Sequence, residues 1–126
     1  MTGDCVQVLI VDGANVVGSR PDGWWRDRPG AAGRLWDSLA AADLPHDEVV
    51  LVLEGAARPG VPAGRTGRLQ ALHASGSGDD AIVSEARARA EDGWDVTVVT
   101  ADRALRDRLR ASGAGTVGPS WLLDLL

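Results

Sequence analysis

The chain has 126 residues, of which 44% are hydrophobic, and a formal net charge of −5. This length and composition predict a single globular domain over residues 1–126 and exclude a disordered chain. The acidic balance argues against strong non-specific affinity for nucleic acid or anionic membrane, but it leaves open a nucleic-acid enzyme that works through bound cations.

All 13 basic residues are arginine. Sites that depend on lysine, such as a P-loop or a Schiff base, are therefore excluded. Cys5 is the single cysteine, which is typical of a reducing compartment. No apolar run is long enough for a signal peptide or a membrane span. We expect a cytoplasmic protein with no membrane partner, and the composition suggests a GC-rich bacterial genome.

The hydrophobic pattern predicts an alternation of strands and helices. The first strand is an apolar run rich in Val and Ile that ends just before Asp12, as expected for a strand buried on both faces of a parallel sheet. Further strands are predicted at 48–53, 69–73, 95–100 and 114–117. Helices are predicted at 31–42, 81–91 and 103–112 and after Pro119. This order predicts a three-layer α/β/α sandwich with a mostly parallel sheet of about five strands.

Two stretches carry no clear helix or strand pattern. Residues 18–30 are rich in turn formers and contain the adjacent pair Trp24 and Trp25. Residues 55–67 are rich in Gly, Pro and Ala, and we expect them to form a mobile surface loop.

Acidic residues follow four of the predicted strands. Asp12 follows the first strand, Glu54 the second, Asp79 and Asp80 the third after a short glycine turn, and Asp102 the fourth. Parallel strands end at the same edge of a sheet, where open α/β folds bind ligands. The five carboxylates are therefore expected to lie close together.

The negative charge of five neighbouring carboxylates must be offset by protons or cations. Two anions ~4 Å apart repel by roughly 4 kcal/mol at an effective dielectric constant of about 20, so protons or cations must neutralise them. Carboxylates without a His or Cys cluster favour Mg²⁺ or Mn²⁺ over zinc. The implied reaction is metal-assisted hydrolysis of a phosphate ester.

Each acid also has a purely structural interpretation. Asp12 and Gly13 suit an ordinary turn, and Asp79, Asp80 or Asp102 suits the N-cap or first turn of a helix. The metal hypothesis depends on the joint pattern at four strand ends. Glu54 is its weakest member, because exposed Glu residues are common in Gly-rich loops after strands.

Three segments carry a resemblance to a known family. They are Val11-Asp12-Gly13-Ala14-Asn15-Val16, Gly78-Asp79-Asp80-Ala81-Ile82 and Val98-Val99-Thr100-Ala101-Asp102. In this order they resemble the NYN/YacP branch of the PIN-like nuclease superfamily, and they span nearly the whole domain. The chain departs from the family at Glu54, where NYN-type sequences usually have an aspartate.

The resemblance implies a PIN-like fold and a metal-dependent ribonuclease that acts on single-stranded RNA. By position, Asp12, Asp79 or Asp80, and Asp102 would hold the metal. Asn15 would position Asp12 or a water molecule, and Thr100 would orient Asp102. The alternatives are a non-catalytic PIN-like module that binds RNA or protein, and a phosphohydrolase of small nucleotides. A homodimer or a protein partner also stays open.

Arginines and tryptophans supply candidate substrate contacts. Arg58, Arg65 and Arg68 would guide a phosphate backbone towards the acids, or would only make the surface soluble. Trp24 and Trp25 would stack on bases, or would split into one buried and one half-exposed ring.

Overall fold

The computed structural model describes residues 6–126, so Cys5 lies outside the described residues. The strands are β1 (Gln7–Asp12), β2 (Glu48–Leu53), β3 (Gly64–Thr66), β4 (Leu69–His73), β5 (Asp95–Val99) and β6 (Gly115–Val117). The helices are α1 (Gly13–Gly18), α2 (Arg28–Ala41), α3 (Gly78–Glu91), α4 (Arg103–Arg110) and α5 (Pro119–Leu123). Two 3-10 helices cover Trp24–Arg26 and Gly55–Gly60.

The six strands form one sheet in the order β3-β4-β2-β1-β5-β6. Every neighbouring pair is parallel except β3 and β4, which are antiparallel. The predicted α/β fold with a mostly parallel sheet is confirmed.

Strand β1 is buried on both faces, as its sequence predicts. Leu9 and Val11 belong to a core cluster that also contains side chains of α1, α2 and α5. Val8 and Ile10 belong to a second cluster that contains side chains of α3 and α4. All four side chains are fully buried. The helices therefore form two layers, one on each face of the sheet.

The stretch at 55–67 is not the irregular loop that its composition predicts. It contains the 3-10 helix Gly55–Gly60 and the edge strand β3, which raises the number of strands from about five to six. The hydrophobic pattern does not predict β3, because all three of its residues are exposed and none contributes an apolar side chain to the core.

Helix α1 is also absent from the sequence prediction. It begins at Gly13, directly after β1, and packs closely on β2. A Cβ atom at position 13 would lie 2.5 Å from the backbone oxygen of Val52 and 2.9 Å from a methyl carbon of Leu53. Glycine after Asp12 therefore has a steric role in bringing α1 against the sheet.

The helices that follow β1 and β5 lie on opposite faces of the sheet, although these two strands are neighbours. This is the topological switch point at which open α/β sheets leave a crevice beyond the strand ends. Asp12 is the last residue of β1, and Asp102 lies three residues after the last residue of β5. The fold thus opens a crevice where the sequence predicts the acids.

Candidate active site

An open pocket of about 360 Å³ lies at this edge of the sheet. Four carboxylates line it, together with Ala14, Asn15 and Ser77; they are Asp12, Glu54, Asp79 and Asp102. We call it the acidic pocket. One carboxylate comes from each of the four segments that the sequence analysis singled out.

Asp12 is the most enclosed of these acids, with 6% of its surface exposed. One carboxylate oxygen accepts a hydrogen bond from the backbone N–H of Asn15 at 3.3 Å, which caps α1. The other accepts a hydrogen bond from the Thr100 hydroxyl at 2.9 Å. Both oxygens are therefore held in place by neighbouring elements.

Thr100 connects two of the acids. Its side chain is fully buried, and its hydroxyl donates to Asp12 while accepting the backbone N–H of Asp102 at 3.1 Å. The Asp102 carboxylate in turn caps α4 by accepting the N–H of Leu105 at 3.0 Å. The Thr100 hydroxyl thus orients the Asp12 carboxylate directly, and it orients Asp102 through the backbone N–H of Asp102.

Asn15 ties the first turn to the turn after β5. Its side-chain oxygen accepts the backbone N–H of Ala101 at 2.8 Å. Asn15 therefore acts on the position of Asp12 through its backbone and on the turn before Asp102 through its side chain.

Glu54 reaches the start of α3, where one of its oxygens accepts the backbone N–H of Gly78 at 2.9 Å. A Cβ atom at position 78 would lie 2.7 Å from the other oxygen, so a larger residue there would displace the end of the Glu54 side chain. The cap of α3 is Ser77, and not Asp79 or Asp80. Glu54 and the glycine turn before Asp79 thus form one unit.

Two of the acids resist ionisation. Burial raises the pKa of Asp12 above its ordinary value of 3.8, and the charges on Asp79 and Glu54 add to this rise, while two hydrogen bonds oppose it. Burial also raises the pKa of Asp79, assisted mainly by the negative charges on Asp102 and Glu54. No arginine lines the acidic pocket, so burial and the neighbouring carboxylates together disfavour ionisation of these two acids.

Asp80 lies outside the acidic pocket. Its carboxylate forms an ion pair of 2.8 Å with Arg108 and lines a separate groove between α3 and α4. Its side chain is 72% exposed. Because adjacent helical residues point in different directions, Asp79 and Asp80 cannot both face the pocket. Of the two, the structure brings only Asp79 to the other acids.

Arg65 and Arg68 lie at the opposite edge of the sheet from the acids. Arg65 forms an ion pair of 2.9 Å with Glu48, the first residue of β2. Arg68 donates to the backbone carbonyls of Leu44 and His46 before that strand. The prediction that these two arginines guide substrate to the acids is not supported by their positions, because they stabilise the connection between α2 and β2.

Arg58 lies on the same edge as the acids, in the 3-10 helix after β2. It donates to the carbonyls of Gly55 and Ala74 at 3.3 and 3.4 Å, and the residue stays exposed. His73 nearby makes a 2.7 Å hydrogen bond with the carbonyl of Val61, which is a structural contact.

The two tryptophans differ in exposure, but neither is the buried ring of the structural interpretation. Trp24 is half-buried against the core, and its ring carries the Arg28 guanidinium at 5.4 Å from the centroid. Trp25 is 57% exposed and packs edge-on against Trp24. Trp24 lines a second pocket next to the acidic one, whereas Trp25 does not line it.

Comparison with solved structures shows that the fold of this chain resembles a known one. The crystal structure of Rae1 (YacP) from Bacillus subtilis matches with a TM-score of 0.71 and 16% identity, covering 94% of this chain and 72% of that chain. A tryptophan-to-leucine mutant of Rae1 matches with a TM-score of 0.72 and 19% identity, over the same shares of the two chains. The chain therefore has the fold of Rae1 (YacP). The resemblance seen in the sequence is confirmed at the level of the fold.

Comparisons by sequence give no such likeness. No protein-family model matches this chain, and no curated protein matches it significantly. In residues 6–126 no helix is long and apolar enough to cross a membrane.

The acidic pocket has the donor chemistry for a hard divalent cation. Its charged groups are four carboxylates, and the pKa values of Asp12 and Asp79 are raised first by burial and then by neighbouring negative charges. Within residues 6–126, no three His, Cys, Asp or Glu side chains are grouped closely enough to hold one ion together. Mg²⁺ commonly keeps several waters and binds through one or two carboxylates. The donor set therefore fits such an ion.

Ser77 and Arg28 are pocket residues that the sequence analysis missed. Ser77 lines the acidic pocket and caps α3 by accepting the N–H of Asp80. A serine three residues before an acid at a helix start is a capping signal that could have found it. No sequence motif indicates that Arg28 lines a pocket, because its position depends on how helix α2 packs.

Proposed function

We propose that this protein is a divalent-metal-dependent ribonuclease that hydrolyses phosphodiester bonds of single-stranded RNA, with Mg²⁺ or Mn²⁺ as its cofactor. The observation that carries the proposal is the acidic pocket, in which four carboxylates from distant parts of the chain meet at the switch point of a YacP-type fold. RNA as the substrate is inferred from the resemblance to NYN/YacP nucleases.

One or two of Asp12, Asp79 and Asp102 would hold the ion, water would fill its other positions, and Glu54 lies beside them. When bound, the ion would offset their charge, lower the pKa of water and stabilise the charge that develops on phosphate oxygens. Thr100 fixes Asp12 and the Asp102 backbone through one hydroxyl, so the carboxylates need little reorganisation when the substrate binds.

A second candidate is a non-catalytic module that binds RNA or protein through a residual acidic pocket. The observation that favours it is that Asp12, Glu54 and Asp102 each already accept a backbone N–H, and that residues 6–126 hold no tight group of three ligands. In that case Mn²⁺ would not stabilise the folded protein.

The proposal is tested by cleavage of a mixed set of single-stranded RNAs with Mg²⁺ or Mn²⁺. Asp102→Asn should lower the cleavage rate by at least about 10- to 100-fold, while the cap of α4 survives because asparagine caps helices as well as aspartate does. Asp107→Asn is the matched control, since Asp107 lies exposed on the same helix and pairs with Arg110.

Equal cleavage by the wild type and Asp102→Asn would contradict the catalytic proposal. Turnover of small nucleotides without cleavage of RNA would favour the phosphohydrolase alternative instead.

A further inference from the structure

We propose that a second pocket beside the acidic one receives a single nucleobase of the RNA strand, with Trp24 as its stacking surface. This inference rests on the proposed function, because it names how that site would hold its substrate. The pocket, here called the Trp24 pocket, has a volume of about 230 Å³.

The walls of the Trp24 pocket are mainly apolar. Ala14 and Val17 of α1 line one side, and Ala56 and Ala57 of the 3-10 helix after β2 line another. The apolar faces of a nucleobase can lose their water against these walls at little cost.

The Trp24 pocket and the acidic pocket adjoin each other. Ala14 and Glu54 line both of them. A base in the Trp24 pocket would therefore place the phosphate of the same strand next to the carboxylates. The apolar and acidic pockets thus suit the two chemically different parts of one nucleotide.

Arg28 gives the pocket its positive charge. Its guanidinium lies 5.4 Å from the centroid of the Trp24 ring and lines the pocket. The guanidinium lies over the ring, and bases stack on guanidinium planes as well as on aromatic rings, so Trp24 and Arg28 together form the stacking surface; the guanidinium also attracts phosphate.

The size of the pocket favours one base over a larger ligand. Pockets for drug-sized molecules measure ~300–1,000 Å³, so about 230 Å³ suits a single ring system. Trp25, which is 57% exposed, does not line the pocket and provides a matched control.

The test uses the indole N–H signals of the five tryptophans in NMR spectra of the ¹⁵N-labelled protein with Mg²⁺. The Trp24 signal is the one that is missing from the spectrum of Trp24→Leu. The Trp25 signal is the one that is missing from the spectrum of Trp25→Leu. Nucleoside 5′-monophosphates should shift the Trp24 signal more than the Trp25 signal, and ribose 5-phosphate should shift the Trp24 signal less than they do.

Ala56→Leu provides a variant that keeps the core intact. Ala56 is exposed on the rim, so a larger side chain there fills the Trp24 pocket without removing buried contacts. We expect nucleotide affinity to fall by about 5-fold or more. The KM for RNA should rise while kcat changes less, and Trp121→Leu, at an exposed ring that lines neither pocket, should change neither.

The possible failures can be told apart. Nucleotide binding at Trp24 without any RNA cleavage by the wild type would support the pocket and contradict the nuclease proposal. RNA cleavage with an unmoved Trp24 signal and an unchanged KM in Ala56→Leu would contradict the base pocket alone. An equal shift of the Trp24 signal with N-acetyltryptophanamide would overturn the base assignment in favour of an apolar protein side chain.

Discussion

Thr100 is the residue on which two of the four pocket acids depend. Its buried hydroxyl donates to Asp12 and accepts the N–H of Asp102. Thr100→Val should lower the free energy of unfolding by about 1–3 kcal/mol, because a buried acceptor and a buried donor lose their partner. It should also reduce RNA cleavage. Urea unfolding and cleavage rates measure the two effects.

Thr100→Ser is the control for that substitution, since it keeps the hydroxyl and removes one methyl group. It should retain most of the activity. Equal activity of the valine and serine variants would show that the hydroxyl does not position the acids.

Asp79 should destabilise the metal-free protein at neutral pH. Burial, with the charges on Asp102 and Glu54, raises its pKa above 3.8. A carboxyl group with a raised folded-state pKa contributes stability below its unfolded pKa, and this contribution is lost as the pH rises through the folded value. Asp79→Asn should therefore raise the melting temperature by a few degrees at pH 7, with the gain disappearing towards pH 4.

Asp80→Asn is the matched control, because Asp80 is exposed and paired with Arg108. Melting curves of both variants in chelator, recorded from about pH 4 to pH 7, separate the effects. A gain for Asp79→Asn that does not change over this pH range would argue against a charge-based origin.

At the scale of elements, the contact between Glu54 and the start of α3 predicts that substitutions at positions 54 and 78 are energetically coupled. The Cβ atom of Gly78→Ala would lie 2.7 Å from a carboxylate oxygen of Glu54, so this side chain must move. We expect a loss of stability in the wild-type background, although alanine favours a helix over glycine by ~0.5–1 kcal/mol. In a Glu54→Ala background the same substitution should be neutral or stabilising.

A double-mutant cycle by urea unfolding measures this coupling between positions 54 and 78. Gly76→Ala serves as the control, because a Cβ atom there has no neighbour within 4 Å. Additive effects of Gly78→Ala and Glu54→Ala would contradict the close approach.

The elements that the sequence predicted well are those with a buried apolar pattern. The strand at 48–53 and the strand at 69–73 have the predicted bounds, because alternate or continuous burial leaves a strong signal. The pattern does not predict strand β3 or helix α1, since all residues of β3 are exposed and α1 is only six residues long.

The candidate site was predictable only in part. The end of a buried strand marks the edge where a side chain such as Asp12 emerges, so the convergence of four acids follows from a parallel sheet. The sequence could not choose between Asp79 and Asp80, because this depends on the rotation of α3 about its axis. The sequence also could not predict where the side chains of Arg65 and Arg68 lie. The antiparallel pairing of β3 with β4 brings both arginines to the start of β2.

At the scale of the whole molecule, ion binding should stabilise the fold. A ligand that binds only the folded state adds about 2.7 kcal/mol at 100 times its Kd. Millimolar Mn²⁺ should therefore raise the melting temperature of the wild type and raise that of Asp79→Asn much less. An unchanged melting temperature of the wild type would favour the non-catalytic module.

The most direct test of the account compares two neighbouring acids in one reaction. Asp79 faces the acidic pocket, whereas Asp80 pairs with Arg108 on another groove. With single-stranded RNA and Mn²⁺, Asp79→Asn should lose at least about 10- to 100-fold of the cleavage rate, and Asp80→Asn should cleave like the wild type. Equal rates for the two variants, or a greater loss in Asp80→Asn, would contradict the assignment of the acidic pocket as the catalytic site.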